Sequence, residues 1–138
     1  MKYIKYFEGK KKEFPNYKKF DKVGFVIYVG GDAESNDYIT FKIADDDDIW
    51  LHTMGIPGSH VIIRVKNSKY TQEKSVPTET VLKFAAELAK KHSKADKDKP
   101  CDVRFCQRKF VYKTPEMKVG QVGVDRQIES DTTKKITI

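Results

Sequence analysis

Long apolar runs are missing from this sequence. No stretch of about 18 consecutive apolar residues occurs, which excludes a conventional membrane-spanning helix. The first ten residues, MKYIKYFEGK, also lack the apolar centre of a secretory signal peptide. We therefore expect a cytoplasmic protein that does not insert into a membrane.

Cysteine is scarce as well, with two residues among 138. Cys101 and Cys106 have a spacing that is neither C-x-x-C nor half of a zinc ribbon. Their odd separation along one predicted strand puts the two thiols on opposite faces, which disfavours an internal disulfide. We expect two reduced thiols, because disulfides are rare in the cytosol.

Recognisable catalytic motifs are also lacking. Ser59 and His60 are neighbours without the G-x-S-x-G elbow that presents a nucleophile. The aspartates at 45–48 lack the spaced ligands and central glycine of a calcium loop. We predict a non-enzymatic protein without a cofactor or a metal. A small metal-dependent enzyme that uses Asp48, His52 and His60 stays an alternative, although no metal-site spacing supports it.

Length and composition are typical of one folded domain. Hydrophobic residues make up 38% of the chain and aromatic residues 12%, which is enough for a core and argues against wholesale disorder. Residues 8–19 are polar, and Gly9 and Pro15 interrupt regular structure there. We predict a basic lead-in segment over residues 1–14 and a single domain over residues 15–138.

The charge is positive overall and unevenly distributed. The chain has 27 Lys and Arg against 20 Asp and Glu, a net charge of +7. Residues 1–24 carry a balance of +5, residues 25–82 one of −4, and residues 83–112 again one of +5. This basic–acidic–basic order is compatible with one positive face for a polyanion. A lysine-rich surface that merely keeps the protein soluble is the alternative.

The secondary-structure pattern predicts an α+β fold, with a mainly antiparallel sheet and one principal helix at about 78–94. Thr78 is the expected N-cap of that helix, and an apolar stripe follows it. Alternating or β-branched stretches predict the strands, of which the first four suggest a meander. These predicted strands cover residues 24–30, 38–43, 49–53, 60–66, 102–112, 122–124 and 136–138.

One dense block of residues resembles a known family. DIWLH at 48–52 and IPGSHVIIR at 56–64 are similar to the hallmark of the NFACT-R domain. Flanking similarities extend the resemblance over about residues 15–124. They comprise YKKF at 17–20, NDYIT at 36–40, HS at 92–93 and the spaced Val, Lys, Pro and Gly residues of 111–122.

The resemblance implies a role in RNA binding. NFACT-R is the RNA-binding module of NFACT proteins, ribosome quality-control factors that bind the large subunit with its stalled peptidyl-tRNA. It implies RNA as partner, tRNA or rRNA above all, and contact with the large ribosomal subunit.

Two departures stand out. Gly31-Asp32 replaces the Arg-Asn of the family, so a phosphate contact at that turn is not expected. The other domains of NFACT proteins do not fit in 138 residues, so tRNA selection and tailing are not carried over.

The residues of the block also suggest how RNA would bind. A tight turn at 57–59, with positive φ at Gly58 and a free amide, suits a phosphate. His60 and Arg64 are four positions apart and share one strand face. Trp50 is either a stacking surface or the largest residue of the core.

A protein-interaction module on the ribosome or a translation factor, and a DNA-binding module, remain alternatives. The predicted nucleic-acid-binding residues are Trp50, His52, Pro57, Gly58, Ser59, His60, Arg64, Lys90, Lys91, Arg104, Arg108, Lys113 and Lys118.

Overall fold

The computed structural model describes residues 3–7, 10–66, 76–131 and 134–138, with side chains from residue 13 onward. The strands are β1 (Tyr3–Phe7), β2 (Lys10–Phe14), β3 (Tyr17–Lys22), β4 (Phe25–Gly30), β5 (Ile49–Thr53), β6 (Val61–Ile63), β7 (Asp102–Gln107), β8 (Val111–Tyr112), β9 (Gly123–Val124) and β10 (Lys135–Thr137). The helices are α1 (Ala33–Tyr38), α2 (Glu79–Lys91) and α3 (Arg126–Ser130), with a π-helical turn over Ile39–Ile43 and a 3-10 turn over Arg108–Phe110.

Six strands form one antiparallel sheet in the order β10-β7-β5-β6-β4-β3, while β1 pairs with β2 and β8 pairs with β9. The predicted α+β class is confirmed. The predicted meander is wrong, because β6 lies between β4 and β5 and pairs with both. The connection from β4 to β5 therefore passes over the sheet through α1 and the π-helical turn.

One face of the sheet is covered by α2. Thr78 is the N-cap of this helix, as predicted, and its hydroxyl accepts a hydrogen bond from the Val81 amide. Val81, Ala85 and Ala89 are fully buried against the strands. Lys90 and Lys91 occupy the last turn, where cations oppose the negative end of the helix dipole. The helix spans 79–91, slightly less than the predicted 78–94.

The opposite face is covered by α1, the π-helical turn and the segment after β7. The prediction of a strand over 38–43 is wrong, although the segment is rich in β-branched and aromatic residues. The Asp32 carboxylate caps α1 by accepting a hydrogen bond from the Ser35 amide at 2.8 Å. Ile39 and Thr40 are then fully buried on the helical side that faces the sheet. Tertiary packing therefore outweighs the strand preference of these residues.

Several boundaries differ from the predicted ones. The polar segment 8–19 contributes strands β2 and β3 rather than an irregular lead-in, whereas Gly9 lies outside the described residues. The predicted strand 60–66 is ordered as a strand only over 61–63, and 102–112 is divided by a 3-10 turn. The short strands near 122–124 and 136–138 are confirmed as β9 and β10. Among the described helices, none has the length and apolarity needed to cross a membrane.

Candidate nucleic-acid interface

The Pro57–Ser59 turn is hydrogen-bonded to the segment that follows α2, residues 92–94. The Lys94 amide donates a hydrogen bond to the Pro57 carbonyl at 2.9 Å, and the Ser59 amide donates one to the His92 carbonyl at 3.0 Å. These bonds place the central motif of the sequence beside a helix end that lies more than thirty positions later in the chain. The turn therefore has a fixed neighbour, and the two segments form one wall.

Gly58 is required by this close approach. A Cβ built on Gly58 would lie 2.6 Å from the Ser93 Cβ and 2.9 Å from its Cα. The expected positive φ at Gly58 is wrong, because in this turn Gly55 carries the positive φ, of 69°. The expectation of a free amide is also wrong for Ser59, whose amide is bonded to a carbonyl. Glycine is needed here for space rather than for backbone conformation.

His60 lies inside the molecule, only 2% exposed. Its Nδ1 atom is 2.9 Å from the Thr40 hydroxyl, and its amide donates to the Asn36 carboxamide oxygen at 3.0 Å. Burial, with smaller contributions from His52 and the positive charge of Lys113, lowers the pKa of His60 to about 3. His60 is therefore neutral and joins the sheet to α1 and the π-helical turn, with little surface for a ligand.

Trp50, His52 and His60 form one aromatic cluster. The rings of Trp50 and His52 are stacked, with centroids 5.9 Å apart and planes inclined by 11°. His60 meets both rings edge-on. Burial lowers the pKa of His52, against hydrogen bonds to the backbone of Gly58 and Thr53. Trp50 is 4% exposed and belongs to the core. Of the three rings, that of His52 has the most accessible surface.

Asp48 and Arg64 form an ion pair beneath the acidic turn. The Asp48 side chain has no exposed surface, and its Oδ2 atom lies 2.7 Å from the Arg64 Nε atom. The same carboxylate accepts hydrogen bonds from the amides of Asp45 and Val65. Burial raises the pKa of Asp48 in spite of these contacts. Arg64 also contacts the exposed Asp45 carboxylate at 3.0 Å, so its guanidinium is engaged by two carboxylates of the acidic turn.

Arg108 has a comparable position, since its guanidinium pairs with Asp46 of the same acidic turn. Lys90 is also engaged, because its ammonium donates to the carbonyls of Lys99 and Ile138. Lys91 is exposed at the end of α2. The predicted binding roles of these residues remain predictions, and the contacts of Arg108 and Lys90 give both a structural part as well.

Lys113 holds the loop that follows β8. Its ammonium lies 3.2 Å from the Asp37 carboxylate of α1 and donates to the carbonyls of Lys118 and Gln121. The Asp37 carboxylate also accepts a hydrogen bond from the Gly120 amide, at 3.0 Å. This clamp brings the loop against α1 and leaves the Lys118 side chain exposed.

A cleft of about 990 Å³ opens between these segments. Its walls are residues from 31–36, the 57–59 turn with His52, residues 92–94 and the loop 118–121. The structure thereby brings together five of the residues predicted from sequence. They are His52, Pro57, Gly58, Ser59 and Lys118. A separate, smaller pocket lies next to it and contains Trp50, Arg104 and again His52.

Some lining residues were not predicted as part of the site. His92, Ser93 and Lys94 reach the cleft through the pairing of their backbone with the turn, which no local pattern reveals. The resemblance had singled out His92 and Ser93 without assigning them a role. Asp32, the residue that departs from the family pattern, lines the opposite wall and caps α1.

Positive charge gathers around the His92 side of the cleft. Partial burial lowers the pKa of His92, and the positive charges of Lys18, Lys91 and Lys97 lower it further. Lys94 and Lys118 line the cleft itself and are exposed. Lysines from β3 and from the end of α2 therefore lie near His92, although they are far apart in sequence, and Lys118 of the 113–121 loop lines the same cleft.

Metal-binding clusters are absent from the described part of the chain, where no three His, Cys, Asp or Glu side chains are arranged to hold an ion. Both cysteines are buried free thiols. Burial raises the pKa of Cys106 to about 11, which keeps its thiol protonated at neutral pH.

Known proteins resemble this chain in sequence. It is 36% identical over 124 residues to the Rqc2 homolog RqcH of Bacillus subtilis, which covers 87% of this chain and 20% of that protein. It is 31% identical over 104 residues to the mouse coiled-coil domain-containing protein 25, covering 75% of this chain and 48% of that protein. The chain thus spans about a fifth of the bacterial relative and about half of the mouse one.

A solved structure shares the fold. The C-terminal part of the fibronectin/fibrinogen-binding protein from Streptococcus suis superposes with a TM-score of 0.70 at 28% identity, covering 88% of this chain and 44% of that one. The family described as the NFACT protein RNA binding domain matches residues 13–126, most of the chain. The chain therefore belongs to the NFACT-R family, as the resemblance of its central block implies.

Proposed function

We propose that this protein is a non-enzymatic RNA-binding module that acts in ribosome quality control and captures RNA at the cleft beside the 57–59 turn. The observation that carries the proposal is the presence of lysines from three distant segments around that cleft. Family membership supports RNA as the ligand. The proposal assigns the protein to the cytoplasm, where translation takes place, and names tRNA or rRNA, with the large ribosomal subunit, as its partner.

Electrostatic capture is the expected mechanism. Lys94 and Lys118 line the cleft from two sides, and Lys18, Lys91 and Lys97 act on the neighbouring His92. Lysine ammonium groups neutralise phosphates and release condensed counterions, a gain that does not depend on sequence. The net charge of +7 then serves a defined surface rather than solubility alone.

The other wall of the cleft has a different character. Asp32 lines it, and its negative charge opposes a phosphate there. We infer that the RNA backbone passes between Lys94 and Lys118, which line the cleft from two sides, and that its phosphates lie away from Asp32.

The test is RNA binding by fluorescence anisotropy with a labelled tRNA and a single-stranded RNA 9-mer, at several salt concentrations. With several phosphate contacts, affinity should fall on the order of 10³-fold between 50 and 200 mM salt. The double variant Lys94→Ala/Lys118→Ala should bind more weakly and with a salt slope reduced by about two. The matched control is Lys42→Ala/Lys66→Ala, which removes the same charge from exposed residues outside the cleft.

Equal loss in both double variants would contradict the assignment of the cleft, since only total charge would then matter. A flat salt response would contradict electrostatic capture. Equal affinity for DNA of the same sequence would favour the DNA-binding alternative. If a ribosomal or translation-factor partner is recovered equally well after nuclease treatment, the protein-interaction alternative is favoured instead.

A further inference from the structure

The smaller pocket, of about 320 Å³, lies where the sheet meets the C-terminal segment. Strands β5 and β7 supply Trp50, His52 and Arg104, while Val124 and Glu129 come from β9 and α3. His52 lines both this pocket and the larger cleft. The volume is at the lower end of ligand pockets, which fits one planar group rather than a duplex. A strand held in the cleft therefore has a compartment within reach for one of its bases.

Trp50 lines this pocket with a side chain that is only 4% exposed. Its indole Nε1–H is inaccessible to solvent, so the indole forms the buried backing of the pocket rather than a donor that a ligand can reach. The stacked His52 ring beside it offers a flat surface of the kind that bases use in single-stranded RNA.

Arg104 and Glu129 give the pocket one cation and one anion. Arg104 stands directly opposite His52 in the β5–β7 pairing, so both side chains project from the same face of the sheet. Glu129 follows Ile128, which is partly buried and packs against the core. Within the described ranges, neither the Arg104 nor the Glu129 side chain has an ion-pair partner.

We infer that this pocket takes an unpaired guanine base of the bound RNA, an inference that rests on the function proposed above. Guanine presents two adjacent donors, N1–H and the N2 amino group, which a carboxylate accepts together. Its O6 and N7 atoms are adjacent acceptors, which an arginine such as Arg104 can serve. Adenine, cytosine and uracil each place an acceptor where guanine has one of its two donors, so each would oppose the Glu129 carboxylate.

The test uses oligouridylate 9-mers whose central residue is G, A, C or U, measured by anisotropy at low salt. Wild-type protein should bind the guanine 9-mer about tenfold more tightly than the others. Glu129→Gln should abolish most of that preference and leave affinity for the all-uridine 9-mer unchanged. The matched control is Glu87→Gln, an exposed glutamate of α2 on the other side of the sheet, which should keep the preference.

A second readout uses Trp50, the only tryptophan in the sequence. Titration with guanosine monophosphate should change its fluorescence in a saturable way, whereas uridine monophosphate should not. Equal binding of the four 9-mers, or a guanine preference that survives in Glu129→Gln, would overturn this inference and leave RNA binding intact. Failure to bind any RNA, tRNA included, would overturn the proposed function and this inference together.

Discussion

The Arg64 guanidinium lies 2.7 Å from a carboxylate, that of Asp48, which has no exposed surface. Asp48 opens the block of sequence that is most diagnostic of the family, and Arg64 closes it. The two ends of the block therefore meet, and the hydrogen bonds from Asp45 and Val65 complete the shell around the carboxylate. Asp48 and Arg64 therefore stabilise the fold by joining the two ends of the block.

Arg64→Ala should destabilise the fold by about 3 kcal/mol, because it leaves a buried carboxylate without its cation. The free energy of unfolding in urea measures this loss. The control is Lys99→Ala, which breaks an exposed contact of 4.0 Å with Asp96 and should change stability by less than about 1 kcal/mol. Equal effects of the two substitutions would show that the buried pair contributes nothing special.

Stability should fall as the pH drops below about 6.5. His60 has a folded pKa of about 3, so the unfolded chain binds its proton at a higher pH than the folded chain does. Its contribution to stability is complete above the unfolded pKa and is lost as the pH falls toward the folded pKa. Between pH 7.5 and pH 5 the loss from this residue is about 2 kcal/mol.

Urea unfolding of wild type and His60→Asn at several pH values measures this dependence. The variant should be less stable at pH 7.5 and should lose less stability on acidification, with a remainder from His52, whose pKa is also lowered. His92→Asn, at a mostly accessible site, should follow the wild-type curve more closely. Parallel curves for wild type and His60→Asn would contradict a neutral, buried His60.

Gly58→Ala should loosen the turn from the end of α2. The added Cβ would lie 2.6 Å from the Ser93 Cβ, and the neighbouring backbone cannot give way without breaking the Ser59–His92 hydrogen bond. We expect a loss of about 1–3 kcal/mol. Removing the opposing side chain in Gly58→Ala/Ser93→Gly should recover part of it. Simple additivity of the two substitutions would contradict a direct steric conflict.

Lys113→Met should release the loop 113–121 from α1. The Gly120 amide, now bonded to Asp37, should exchange its hydrogen about tenfold faster, which corresponds to roughly 1.4 kcal/mol of local opening. Hydrogen exchange followed by NMR or mass spectrometry gives this rate. The control is Lys109→Met, because the Lys109 ammonium lies 3.9 Å from Asp47, whereas the loop's carbonyls accept from Lys113. Unchanged exchange at Gly120 in Lys113→Met would contradict the clamp.

Local sequence patterns predicted the parts of the fold that local chemistry determines. The capped apolar stripe after Thr78 gave α2, and the β-branched run before Gly30 gave β4. The segment 38–43 was assigned incorrectly, because its helical conformation depends on the Asp32 cap and on burial against a sheet that the pattern does not contain. The strand order depends equally on distant pairing.

The candidate site shows the same division. The 57–59 turn and Lys118 were found because glycine, proline and lysine stand out in a sequence. Lys94 was not predicted as a site residue. It reaches the cleft because its amide donates a hydrogen bond to the carbonyl of Pro57, more than thirty positions earlier. Trp50 was ambiguous between core and surface, and burial, which sequence alone does not reveal, places it in the core.

The walls of the cleft come from four segments between Gly31 and Gln121. During synthesis, a nascent chain that has not yet emerged past the 118–121 loop lacks one wall and the clamp made by Lys113. Such long-range closure is slow compared with helix formation. On the function proposed here, a nascent chain would therefore gain the ability to bind RNA at the cleft only after its 118–121 loop has emerged and folded against α1.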